Sequence, residues 1–329
     1  MGQTKWGISR RDFVLGGVGA LTSSLLKADN YPNKPIKLIV PVPPGGGADA
    51  VARAYALQMT KWLDQQQIVI DNRAGAAGII AMEALAQSAP DGYSIIQTNI
   101  STVSINPFIY NKLPYDATHD FVPISLTSSD PLILVVNANL QIKNLKELIA
   151  LAKRKSDGLT YGSLGNGSIQ HLCGHVFGSE AGINLLHVAY KGAAPVAVDL
   201  LAGQIDMAFS GPGTVAGHIK SGKLIPIAIT GNKRAALFPE IPSMAEDGFK
   251  KMDFILWNGL LAPAGTPSSI INLLSNATQK ASQTPELIKT MTGQNIQAVA
   301  NSPQDFAALI KREQLRYSQI VKESNIRAD

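Results

Sequence analysis

Nine short apolar runs punctuate the chain between residues 36 and 262, and helical patterns separate many of them. The runs are IKLIVPV (36–42), IVIDN (68–72), YSIIQT (93–98), LILVVN (132–137), LTYGS (159–163), LHVAY (186–190), IDMAFS (205–210), LIPIAIT (224–230) and ILWNGLLA (255–262). Runs this short, rich in Ile, Val and Leu, read as buried strands. The intervening segments carry apolar stripes at helical spacing, such as Val51, Tyr55, Met59 and Trp62, or Phe306, Ile310, Tyr317 and Val321 near the C-terminus. Strands that alternate with helices predict an α/β fold whose sheets are mostly parallel and flanked by helices. No internal repeat and no low-complexity segment is visible.

Two polar stretches divide this pattern. One is Ser128–Pro131 within LTSSDPLILVVN, between two strand-like runs; the other is AEDGFKKMD (245–253), just before ILWNGLLA. If the chain crosses between domains at both, residues 29–130 and 254–329 form domain I, and 131–253 form an inserted domain II. Two crossings make a hinge, and a hinge beside a cleft suits a ligand trap.

The first residues have a different purpose. SRRDFVL (9–15) places paired arginines before Phe and a weakly apolar stretch that runs to Leu26. This fits a twin-arginine export signal, read as residues 1–28. Its removal takes away Lys5, Arg10, Arg11 and Lys27 against Asp12, so the formal charge falls from +5 to +2. Without a basic block, the remainder has no nucleic-acid footprint. Cys173 is the only cysteine, which excludes an internal disulfide and predicts a buried, inert thiol.

Two glycine-rich loops run from a strand into a helix. PVPPGGGADAVAR (41–53) is the first and YGSLGNGSIQHL (161–172) the second. Glycine lets backbone N–H groups approach a ligand, and a helix N-terminus adds unpaired donors and partial positive charge. Both favour an anion. The first loop lacks the lysine of a phosphate loop and has only a degenerate dinucleotide pattern. Its candidate ligand-binding residues are Pro44, Gly45, Gly46, Gly47, Ala48 and Asp49. The anion contacts go to the amides of Gly45–Ala48, and Asp49 is expected to cap a helix starting at Ala50 and to hold the loop. The second loop offers Ser163, Gly165, Asn166, Gly167, Ser168 and His171, with Ser168 as helix N-cap and His171 as a polar group beside it. Thr98, Asn99, Lys191 and Ser210 are further candidates, because they stand at strand ends.

Other chemistry finds less support. His171 and His175 share a helical face, but H-E-x-x-H is absent, so no metal is expected. No G-x-S-x-G elbow presents a nucleophile, and no cofactor is implied. Asp199 reads as part of a helix and Asp206 as a strand-edge group. A secreted hydrolase or isomerase is the alternative of a different class.

The fragments YPNKPIKLIVP, PPGGGADAVAR, DNRAGAAGIIAMEALAQSAPDGYSI, YGSLGNGSIQHL, YKGAAPVAVDLLAGQIDMAF, GKLIPIAIT, PEIPSMAEDGF and LLAPAGTP occur in this order along nearly the whole mature chain. In this it resembles the substrate-binding receptors of tripartite tricarboxylate transporters, the Bug receptors. The resemblance implies a two-domain periplasmic-binding-protein (Venus flytrap) fold with the ligand cleft between domains. It implies a periplasmic, monomeric receptor that does no chemistry. Such a receptor holds a small carboxylic acid between its two loops and delivers it to transporter membrane subunits, or presents it to a sensor kinase. Many relatives have Phe where Val42 stands, Glu where His175 stands and Asp where Ser210 stands, so ligand choice is open at these positions.

Overall fold

The apolar runs become strands of two five-stranded sheets in the computed structural model, which describes Gly2 and residues 31–45, 47–324, 326 and 327. The export segment, Gly2 apart, and Gly46 of the first loop lie outside the described residues. The strands are β1 (Ile36–Val40), β2 (Ile68–Asn72), β3 (Ser94–Asn99), β4 (Phe121–Pro131), β5 (Ile133–Asn137), β6 (Leu159–Ser163), β7 (Leu185–Ala189), β8 (Met207–Ser210), β9 (Leu224–Ile229) and β10 (Ile255–Pro263). The first sheet has the order β2-β1-β3-β10-β4 and the second β7-β6-β8-β5-β9.

Both sheets are mixed, and in the same way. β1 pairs in parallel with β2 and β3, while β10 runs antiparallel to β3 and β4. In the second sheet β6 pairs in parallel with β7 and β8, while β5 runs antiparallel to β8 and β9. Four strands of each sheet therefore share a direction, as the alternation predicts, and the fifth opposes them. The connectivity explains the exception. β4 reaches β5 through the single residue Leu132, so β5 enters the second sheet at the boundary and heads away from it. β10 likewise returns into the first sheet. In each sheet the reversed strand, fourth in the order, is the one that follows a crossing.

Ser128–Pro131 corrects one expectation, because it is not a break. It is the last part of the eleven-residue β4, paired with β10 along its length. Its polar side chains find partners there: Asn258 Nδ2 donates to Ser128 Oγ at 2.8 Å, and Asp130 accepts the Gln297 N–H at 2.8 Å. A polar strand is tolerated inside a sheet when such partners exist.

The helices are α1 (Gly47–Met59), α2 (Ile79–Ala86), α3 (Asn106–Ile109), α4 (Leu145–Arg154), α5 (Ile169–Ala181), α6 (Ala193–Ala202), α7 (Pro212–Lys220), α8 (Ser268–Ser282), α9 (Pro285–Gly293) and α10 (Pro303–Ser324). The stripe read on α1 is its buried face as far as the helix runs: Val51, Tyr55 and Met59 are wholly buried, while Trp62 lies in the turn past its end and is half-buried. Tyr55 also donates its hydroxyl to the Val299 carbonyl at 2.6 Å. Each such side chain contributes about 1.5–3 kcal/mol by burial. Phe306, Ile310, Tyr317 and Val321 do the same for α10, and Cys173 is wholly buried on α5. Burial pushes the Cys173 thiol well up, so it stays protonated.

One buried hydroxyl joins the crossings. Thr230 follows β9, accepts the Leu132 N–H on Oγ1 at 2.8 Å, and donates to the Phe254 carbonyl. Its own N–H donates to the Leu132 carbonyl at 2.9 Å. Both passages between the sheets, β4 to β5 and β9 to β10, are tied together at this residue.

Candidate functional site

The strand directions place the site. The chain leaves the first sheet at the C-terminal end of β4 and the second at the C-terminal end of β9. Because β1, β2 and β3 run with β4, and β6, β7 and β8 with β9, their C-terminal ends lie on the same side. The segments after these strands therefore line the facing edges of the two sheets, where open α/β sheets bind ligands. The first loop, Asn99, the second loop, Lys191 and Ser210 all fall there.

The first loop is built on a charge network. Asp49 is 2% exposed. Its Oδ2 accepts the Gly45 N–H at 2.9 Å and Arg53 Nε at 2.8 Å, and its Oδ1 accepts Asn72 Nδ2 at 2.9 Å. Asn72 Nδ2 also donates to the Val42 carbonyl at 3.0 Å, which fixes the start of the loop. Burial pulls the Asp49 pKa upward, but the bonds from Arg53, Gly45 and Asn72 outweigh it and hold the carboxyl below its ordinary value. The helix starts at Gly47 rather than Ala50, so Asp49 is not the N-cap. It sits in the first turn and reaches back to a preceding amide, the logic of a capping box. The Gly45 amide is consequently spent on Asp49 and is not free for an anion. Gly47 and Ala48 open the helix, and first-turn N–H groups have no intrahelical acceptor. Pro44 and Gly45 are exposed on the loop.

The second loop is held by small hydroxyls and stacked rings. Ser168 is the N-cap of α5: its Oγ accepts the His171 N–H at 3.3 Å and donates to the Gly165 carbonyl at 2.8 Å. Ser163 is wholly buried, and its Oγ lies 2.6 Å from His187 Nε2 and accepts the Gly165 N–H at 3.1 Å. The Gly167 N–H donates to His171 Nδ1 at 3.1 Å. The His171 and His187 rings stack with centroids 3.8 Å apart and planes 5° apart. Burial first, then neighbouring His187 and His175, pull His171 down to about 4, so it is neutral and its Nδ1 is free to accept. Gly167, at φ +72°, packs so closely on Ile109 of α3 that a Cβ would collide with Ile109 Cδ1. Asn166 stands exposed at the tip.

A third segment joins them. Ser210 ends β8 opposite Ile133, 6% exposed, and Gly211–Pro212 open α7. Gly213 there abuts the first domain: a Cβ on it would stand 3.0 Å from the Gln294 carbonyl oxygen and 3.5 Å from Ile296 Cδ1.

Other candidates are placed differently. Thr98 is wholly buried, with Oγ1 2.6 Å from Thr102 Oγ1 and 3.6 Å from Met82 Sδ of α2. Strand alternation turns it into the first domain, so it does not line the cleft. Asn99 Oδ1 accepts the Ser101 and Thr102 amides at 2.9 and 3.3 Å and caps the following helical turn. Lys191 is exposed just before α6. Asp199 accepts the Tyr190 hydroxyl at 2.7 Å, and Asp206 binds Thr160 and Lys155, so both are structural.

Sequence reasoning missed Asn72, Ile109, His187 and the Gly211–Gly213 turn. A histidine inside the strand LHVAY was a usable signal, since an unpaired polar residue in a strand needs a partner. The pairing of Asn72 with Asp49, 23 residues away, left no local trace.

Residues 51–326 match the family model described as "Tripartite tricarboxylate transporter family receptor". The chain is 34% identical over 300 residues to "Protein BugT" of Bordetella pertussis, which covers 91% of this chain and 92% of that one. Among solved structures it is similar to R. palustris Rpa4515 with adipate, at 28% identity and a TM-score of 0.84, covering 90% of this chain and 99% of that one. It is also similar to MatC from Rhodopseudomonas palustris with bound malate, at 27% identity and a TM-score of 0.80, covering 88% and 100%.

Proposed function

The chain belongs to the family of tripartite tricarboxylate transporter receptors, which are periplasmic and non-catalytic, and from that premise we propose that it traps a small carboxylic acid between its first and second loops. The observation that carries this reading is the state of Asp49. The one carboxylate of the first loop is consumed by Gly45, Arg53 and Asn72, so the start of α1 presents donors without a competing free anion. The start of α5 faces it from the other domain. Adipate and malate in related structures support short aliphatic diacids as the ligand class.

The contacts on the first loop come from Gly46, Gly47 and Ala48, with Pro44 and Gly45 shaping the rim. On the second loop they come from Asn166, with Ser163, Gly165, Gly167, Ser168 and His171 behind it. Ser210 is the floor, and Asn99 and Lys191 lie at the edges. We take residues 29–130 with 254–329 as domain I and 131–253 as domain II. The division of the strands, β1–β4 with β10 in one sheet and β5–β9 in the other, supports these bounds.

The receptor acts as a monomer and hands its ligand to the membrane subunits; presentation to a sensor kinase is the second use of the same closed state. Export proceeds through the twin-arginine motif Arg10–Arg11, and Arg10→Lys with Arg11→Lys should retain the precursor in the cytoplasm.

Thermal unfolding of residues 29–329 against a panel of carboxylic acids tests the reading. A ligand at about 100 times its Kd adds roughly 2.7 kcal/mol of stability. A shift with a diacid supports it. No shift across the panel, before or after denaturation and refolding to remove any retained ligand, counts against it.

A further inference from the structure

The two faces of the cleft are joined to very different degrees. On one face, α5 of the second domain packs on α10 of the first. A single apolar cluster runs through both domains there, including Cys173 and Phe177 of α5, Phe254, and Tyr317 of α10, all wholly buried. The cluster extends to Met82 beneath the first sheet and to Leu134 and Val136 beneath the second. Ile109, which seats Gly167, belongs to it as well.

On the opposite face the second domain keeps its apolar residues to itself. Ile133 and Val135 point to that side and cluster with Val196, Leu200 and Val215 of α6 and α7. Contact with the first domain there includes Gly213, whose added Cβ would meet Gln294 O and Ile296 Cδ1 at 3.0 and 3.5 Å. Ile296 touches the first loop too: a Cβ on Gly47 would stand 3.8 Å from its Cδ1. The side chain is 7% exposed. It is aimed by its neighbours, for Asn295 takes a left-handed turn at φ +57°, and Gln297 is tied to Asp130.

Separation of the first face would bring several wholly buried side chains into water. At the second, Gly211 and Gly213 meet single side chains and one carbonyl of the first domain, Leu256, Ile296 and the Gln294 oxygen, rather than a cluster of wholly buried side chains. Hydrophobic cost scales with the area uncovered, so the second face yields first. We propose that the cleft opens on the α1/α7 face, turning about the α5–α10 seam, and that Ile296 is the positioning residue that gates it. What passes the gate rests on the receptor reading; the motion itself does not.

Pulsed dipolar distances between paired spin labels test this in the full mature chain. One pair spans the gate, Gly217→Cys with Lys289→Cys, both exposed. The other spans the seam, Ser179→Cys with Gln319→Cys, also exposed. Buried Cys173 can stay. In ligand-free protein, Ile296→Ala should lengthen and broaden the gate distances and leave the seam distances unchanged, with Ile296→Val intermediate. Adipate or malate, if bound, should shorten the gate distances, and Ile296→Ala should speed dissociation by about threefold or more. A gate pair unmoved by Ile296→Ala in a protein that still melts cooperatively would overturn the proposal, as would movement of the seam pair. A gate that responds to Ile296→Ala while neither acid has any effect would keep the gate and remove these acids from the receptor reading.

Discussion

The first and second loops look alike in sequence and are held by opposite means. The first is tied by a buried carboxylate that gathers a backbone amide, a guanidinium and an amide side chain. The second is wedged by packing: Gly167 against Ile109, and His171 stacked on His187. The first loop is therefore tied wholly within its own domain. The second is seated partly by a residue of the other domain. Glycine-rich loops before helices share a purpose without sharing a mechanism of support.

The largest effect should come from Gly167→Val, which drives two methyl groups into Ile109. Titration calorimetry should show loss of acid binding, together with a lowered Tm. The corresponding change in the first loop, Gly45→Ala, meets open space and costs only the strain of its left-handed backbone, about 1 kcal/mol. If both variants behave alike, the contrast between packing and tethering fails.

Asp49→Ala should come next. It leaves Asn72 and the Gly45 amide without their acceptor and should destabilise the fold by about 2–4 kcal/mol, measured by urea unfolding. Asp49→Asn should recover part of that loss. A neutral response would mean that the loop holds itself.

Acid should weaken the second loop selectively. Because the His171 pKa is depressed to about 4, the unfolded chain binds the extra proton more readily between about 6.5 and 4. Its contribution is complete above the unfolded value and is lost as pH falls through this window, when Nδ1 gains a proton and can no longer accept from Gly167. Tm should fall over this range, and His171→Asn should flatten that part of the profile. Asp49, held below its ordinary value, keeps its bonds until lower pH.

Ser168→Ala should have the smallest effect, about 0.5–2 kcal/mol on stability through loss of the cap. The hydroxyl proton already goes to the Gly165 carbonyl, so acid affinity should change less than tenfold. A larger loss of affinity at unchanged Tm would make the hydroxyl a direct ligand contact.

Local patterns carried much of this. The apolar runs anticipated nine of the ten strands, and the stripes on α1 and α10 marked their buried faces, because burial imposes a period on a helix and a length on a strand. β4 was missed for a physical reason. Its polar side chains are satisfied by Asn258 and by the Gln297 amide, partners more than a hundred residues away. The N-cap at Ser168 was legible because its acceptor and donor lie within three residues. The displaced start of α1 was not, because Asp49 answers to Asn72 as well as to its neighbours.

By itself, the sequence determined the alternation of strands and helices, the two glycine loops, and the order of fragments that marks the family. It showed no repeat, yet the two sheets have the same order and the same single reversed strand. Only the tertiary structure decided that equivalence, the reversal of β5 and β10, and which face of the cleft is sealed by a shared core. Periodicity records which side of an element is buried. It does not record what lies against that side, and two halves can reach one topology through different side chains because hydrophobic burial rewards area rather than identity.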